Sequence, residues 1–67
     1  MTSTELALAI QQTQQIADVF AERARQGWLD NEPGTYLENI RKFEECQRWI
    51  AGFREEAVTA PSHFDNV

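Results

Sequence analysis

The sequence is poor in the residues that build reactive sites. It holds one cysteine, Cys46, and one histidine, His63, among 67 residues. A lone cysteine forms no intramolecular disulfide and no cysteine-built zinc site, and it suits a reducing cytoplasm. Two prolines and three glycines leave few places where a helix must stop. No apolar run approaches the ~20 residues that cross a bilayer. The opening Met-Thr-Ser-Thr-Glu lacks the basic region of a secretory signal. Positive charge is scarce as well: six Lys and Arg stand against eleven Asp and Glu, a net charge of −5. Affinity for phosphate backbones comes from Lys and Arg displacing counterions, so this balance argues against nonspecific binding to nucleic acid or anionic membrane. A Gly-rich phosphate loop, a G-x-S-x-G elbow and the Glu-x-x-His motif of di-metal bundles are all missing. No enzyme activity and no cofactor are expected.

What is present is apolar periodicity. Hydrophobic residues make up 42 % of the chain, with two Trp, four Phe and one Tyr, so the composition is that of a globular domain rather than a disordered one. Leu6, Ile10, Thr13, Ala17, Phe20 and Ala24 follow the 4-3-4-3-4 spacing of a heptad seam. Ala9, Ile16 and Val19 form a second stripe that is expected to widen the buried face. Thr2 and Glu5 read as a capping box, with Ser3 as a competing cap. Arg23 and Arg25 would complement the dipole in the last turn, and Gly27 fits the position just past a helix end. These signals predict helix 1 over about residues 3–26.

The break is Trp28-Leu29-Asp30-Asn31-Glu32-Pro33-Gly34, within a turn over 27–34. Thr35 and Glu38 read as a second capping box. An earlier start, with Asn31 as cap and Pro33 in the first turn, competes with it. Helix 2 is predicted over about 35–57, with a seam of Tyr36, Ile40, Phe43, Cys46 or Gln47, Ile50, Phe53 and Ala57. Leu37 and Trp49 sit on its shoulders. Glu38–Lys42, Arg41–Glu45 and Glu44–Arg48 have the i,i+4 spacing of surface ion pairs. Periodicity ends at Ala57, and residues 58–67, containing Pro61, His63 and Phe64, read as a C-terminal tail.

The expected fold is therefore all-α. Residues 1–57 form a two-helix antiparallel hairpin, which dimerises into a four-helix arrangement because so short a chain buries little alone. Leu6, Ile10, Phe20, Tyr36, Ile40, Phe43, Ile50 and Phe53 are the core or dimer seam. Cys46 reads as a small packed hydrophobe. Trp28 and Trp49 cannot both hide inside two helices, and Trp is enriched at binding hot spots. Asp18 and Glu22, and on helix 2 Glu44 and Glu45, are candidate acidic contacts for a basic partner. Arg41, Lys42 and Arg48 give helix 2 a modest basic face interrupted by carboxylates.

Two families enter here. A short acidic hairpin that dimerises resembles, in architecture alone, the Rop-type RNA-binding hairpins. The chain also resembles the small phage-encoded anti-activators of bacterial quorum sensing. That resemblance rests on length, the Thr-Glu-Leu-Ala-Leu-Ala-Ile opening helix, the Asp-Asn-Glu-Pro-Gly turn and the aromatic second helix from Phe43 to Phe53. It implies a helical homodimer in the host cytoplasm that binds a LuxR-type transcriptional activator and blocks DNA binding. A second target in pilus assembly would also fit that family. A role as an accessory subunit of a larger assembly is the remaining alternative.

Overall fold

The structure, a computed structural model, describes residues 1–59. It consists of two α-helices, α1 (Ser3–Leu29) and α2 (Pro33–Thr59), each of 27 residues and so ~40 Å long. They form an antiparallel hairpin. At the open end the Met1 ammonium lies 3.7 Å from Glu56. At the closed end Gly27 of α1 lies against Thr35 and Tyr36 of α2. No helix among the described residues is long and apolar enough to cross a membrane.

The N-terminal capping box forms as its residue types require. The Glu5 amide donates to Thr2 Oγ1 at 3.1 Å, and the Thr2 amide donates to Glu5 Oε1 at 2.8 Å. Ser3 is the first helical residue rather than the cap.

The other end of α1 differs from expectation. The helix runs to Leu29, three residues past the predicted 26. Gly27 is not a cap; it is buried within the helix, and no glycine has positive φ. Asn31 takes the left-handed position instead, with φ 58°. The Glu32 amide donates to Gly27 O at 2.8 Å and the Asn31 amide to Trp28 O at 3.2 Å. These are the two bonds of a Schellman motif closed at Asn31. Asparagine tolerates this conformation because its short polar side chain bonds locally. Gly27 is glycine for a different reason. A Cβ there would meet Tyr36 N at 2.9 Å and Thr35 side-chain carbons at 3.1 and 3.2 Å. With the helix longer, Arg23 and Arg25 fall outside its last turn, which holds no basic residue.

The turn shrinks to residues 30–32, and α2 starts at the earlier of its two competing points. Pro33 opens the helix, where its missing N–H costs nothing. The Tyr36 amide donates to Glu32 O at 3.0 Å, so Glu32 rather than Asn31 supplies the first accepting carbonyl. The expected Thr35–Glu38 capping box does not start α2, because both residues lie inside the helix. The helix reaches Thr59, past the predicted 57, so Val58 and Thr59 belong to α2 and not to a tail. The remaining tail residues, with His63 and Phe64, lie outside the described residues.

The core follows the predicted seams. Leu6, Ala17 and Ala24 are buried on α1, with Ile10, Thr13 and Phe20 half-buried between them. Gly27 extends this seam by one more step. On α2, Cys46 and Ile50 are buried, and Tyr36, Ile40, Phe43, Phe53 and Ala57 are half-buried. Cys46 takes the position left open between it and Gln47, which is exposed. One seam residue was not expected: Asn39 is buried, and its Nδ2 donates to Thr35 O at 2.8 Å. That bond answers the cost of placing an amide in the interface.

Two expectations fail. Ile16 and Val19 do not widen the buried face; both are exposed, because a single neighbouring helix covers only one stripe. The three i,i+4 ion pairs of α2 do not close, whereas Met1–Glu56 and, at 3.9 Å, Arg25–Glu22 do. Lys42 instead places its ammonium 5.6 Å from the centre of the Phe20 ring, which Arg23 also approaches at 6.0 Å. A cation over an aromatic face competes well with a solvated ion pair.

Candidate functional site

The hairpin's two open flanks follow from helix geometry. Successive residues turn by about 100°. In an antiparallel pair, residues just before a buried position therefore point to one side, and residues just after it to the other. Ile16, Lys42, Glu45 and Trp49 precede Ala17, Phe43, Cys46 and Ile50, and define a first flank. Asp18, Trp28, Leu37 and Glu44 follow Ala17, Gly27, Tyr36 and Phe43, and define a second. The contact of Lys42 with Phe20 ties the two helices together along the first flank.

The first flank is apolar at its centre. Trp49 is 59 % exposed and tilts over Phe53, with ring centres 6.1 Å apart. Glu45, Arg48, Trp49, Gly52, Phe53 and Glu56 line an open groove of about 450 Å³. Ile16 stands exposed on α1 on the same side. Gly52 is the residue of this flank that the sequence reading passed over. A Cβ on Gly52 would meet nothing within 4 Å, and its φ is not positive. Nothing in the hairpin explains a glycine there. The available signal was a glycine in a helix interior, which costs ~1 kcal/mol relative to alanine.

The second flank is acidic, with an aromatic knob at its closed end. Trp28 lies tilted against Tyr36, with ring centres 5.3 Å apart and planes at 57°, yet remains 69 % exposed. The two rings border a small cleft of about 80 Å³ with Gly27, Asn31, Glu32 and Pro33. Leu37 is exposed beside it. Asp18 and Glu44 are exposed on this side, and Glu22, two residues from both Phe20 and Ala24, is exposed on the outer face of α1. Asp18 accepts a bond from Gln14 Nε2 at 3.2 Å, and Glu22 faces Arg25.

The structure thus brings Trp28, Asp18 and Glu44 to one side, sends Trp49 and Glu45 to the other, and leaves Glu22 on the outer face of α1. The adjacent carboxylates Glu44 and Glu45 are not one cluster. The candidate basic residues are also dispersed, since Lys42 is drawn onto Phe20, Arg48 lines the groove and Arg41 is exposed elsewhere on α2. Cys46 is buried in the seam, as a packed small hydrophobe would be. Among the described residues, no group of three or more His, Cys, Asp or Glu side chains is placed to hold a metal ion. The Glu5 carboxyl is held below its ordinary pKa, chiefly by the Thr2 backbone amide and then by the Thr2 hydroxyl; that group caps a helix and serves no site.

Comparison with known proteins matches no family model, no curated protein sequence and no solved structure.

Proposed function

We propose that this hairpin is a small interaction module that pairs with a copy of itself and binds a larger host protein, which it inhibits or regulates by contact. The observation that carries this reading is the exposure of both tryptophans, at 69 % and 59 %, on a two-helix domain with few buried side chains. Large aromatic side chains left in water at this density mark binding surfaces. The role is one of recognition rather than catalysis.

The second flank supplies what a host-protein contact needs. Trp28 is an aromatic anchor, and Asp18 and Glu44 supply negative charge along the same side, with Glu22 one helical turn from Asp18 on the outer face of α1. Such a surface complements a basic one, steering encounter by charge and holding by the anchor. A DNA-binding surface is basic by necessity. The resemblance to phage-encoded anti-activators makes a LuxR-type transcriptional activator the first partner to test. On this reading the hairpin occupies the activator's DNA-binding surface in the host cytoplasm and competes with operator DNA.

The test is fluorescence anisotropy of labelled operator DNA held by a purified LuxR-type activator. Adding the hairpin should lower the anisotropy to that of free DNA, saturably. Unchanged anisotropy at large molar excess of hairpin would count against the activator as target. Direct binding of the hairpin to a labelled RNA stem-loop, lost steeply with added salt, would favour the Rop-type alternative.

A further inference from the structure

We propose that a second copy of this chain covers the first flank, with α2 packed antiparallel on α2 of the copy across a two-fold axis at Gly52. This deepens the self-pairing part of the function proposed above and rests on it.

Three observations converge on this flank. First, Gly52 is a notch without an internal cause. It sits in a helix interior, has no positive φ, and would meet nothing if given a Cβ. Gly27, by contrast, is required by the hairpin's own close approach. A glycine that only an outside surface can use points to an outside surface, since it allows two backbones to come close. Second, a knob stands beside the notch. Trp49 lies one helical turn before Gly52, on the same groove, and is largely exposed. A two-fold interface must match a patch to itself, and a patch carrying both a knob and a notch does so. Each Trp49 then reaches over the notch of the other copy.

Third, the charges match under the same symmetry. Arg48 lies four residues before Gly52 and Glu56 four residues after it, and both line the groove. An antiparallel crossing at Gly52 sets Arg48 of each copy against Glu56 of the other, twice. Glu56 already receives the Met1 ammonium at 3.7 Å, and a carboxylate can accept from several donors at once. A parallel crossing would instead set like residues against like.

With the axis at Gly52, the described part of α2 overlaps its counterpart over residues 45–59, about 22 Å of helix centred on the notch. Ile16, exposed on α1, and the half-buried Phe53 become part of the interface's apolar centre. The second flank, with Trp28 and the acidic side chains, stays open for another partner.

Sedimentation equilibrium of the full chain from nanomolar to micromolar concentration tests this, with circular dichroism as a check on folding. The parent should be a dimer. Gly52→Leu fills the notch, and its Cβ meets nothing in the hairpin, so it should keep or raise helicity while raising the dimer Kd roughly 10–100-fold. Arg48→Glu should weaken the dimer, and adding Glu56→Arg should restore it. A parent dimer indifferent to both Gly52→Leu and Arg48→Glu overturns the proposed face and leaves self-pairing intact. Loss with Gly52→Leu but no charge-swap rescue overturns the antiparallel register. A parent that stays monomeric throughout overturns this inference and the self-pairing with it, while leaving the binding of a host protein to its own test.

Discussion

A Cβ placed on Gly27 would lie 2.9 Å from the backbone nitrogen of Tyr36. The glycine and the tyrosine are the closing pair of the hairpin. Their approach sets how tightly α1 meets α2 at the turn, and it fixes where Trp28 stands on Tyr36.

Gly27→Ala should therefore destabilise the fold, by about 1–3 kcal/mol, since the clash is with backbone that cannot swing away. Gly34→Ala is the matched control, because its added Cβ meets nothing; it should leave the melting temperature unchanged or raise it, as alanine is the better helix former. Thermal melts followed by circular dichroism separate the two. If both variants melt alike, close approach is not what Gly27 supplies.

Asn31 holds the left-handed residue of the Schellman motif, at φ 58°. Asn31→Gly should be neutral or stabilising. Asn31→Val should cost about 1–2 kcal/mol, because a β-branched side chain resists that conformation. Denaturant midpoints for the two variants should differ in that order.

Ile50 is among the largest fully buried side chains. Ile50→Ala should cost about 2–5 kcal/mol, a large part of the ~5–15 kcal/mol that holds a domain of this kind. Phe20→Ala should cost less in the isolated hairpin, because Phe20 is only half-buried under Lys42 and Arg23. Equal losses at low protein concentration would mean that Phe20 is more deeply covered than the hairpin alone provides.

Much of this fold was legible in the sequence. The heptad spacing from Leu6 to Ala24 placed the α1 seam, and Thr2 with Glu5 placed its start. What failed was the turn. Gly27 can serve as a cap by positive φ or as a notch for a crossing helix, and the residue type is the same in both cases. Reading it as a cap ended α1 three residues early and hid Asn31's role. Asn39 was passed over because a single amide on a seam looks like an interruption until its bond to Thr35 O is seen. The exposure of Trp28 and Trp49 was legible, since two helices cannot hide both. Their assignment to opposite flanks was not, because it depends on which residue of each adjacent pair is buried.

The capping box makes one pH-dependent element. Glu5 has its carboxyl pKa lowered in the folded chain. Its contribution is thus fully present above the ordinary glutamate value and is lost as pH falls through the lowered folded value. NMR shifts of the Thr2 and Glu5 amides, followed from pH ~6 to pH ~3, should report fraying of the first turn of α1 at the acid end. Glu5→Gln, which takes away the titrating carboxylate that the Thr2 amide holds, should remove that transition. An identical titration in the variant would mean that the box is not its source.

Association kinetics with a purified LuxR-type activator, followed by stopped flow at low and high salt, examine most directly whether the hairpin is an acidic binder with an aromatic anchor. Rim charges govern encounter and its salt dependence, while buried anchors govern release. Reversing Asp18 and Glu22 to lysine should slow association at low salt and matter little at high salt. Trp28→Ala should leave association nearly unchanged and speed dissociation, with the chain still folded. An association rate indifferent to the charge reversals at low salt, or tight RNA binding that they strengthen, would contradict this reading of the second flank.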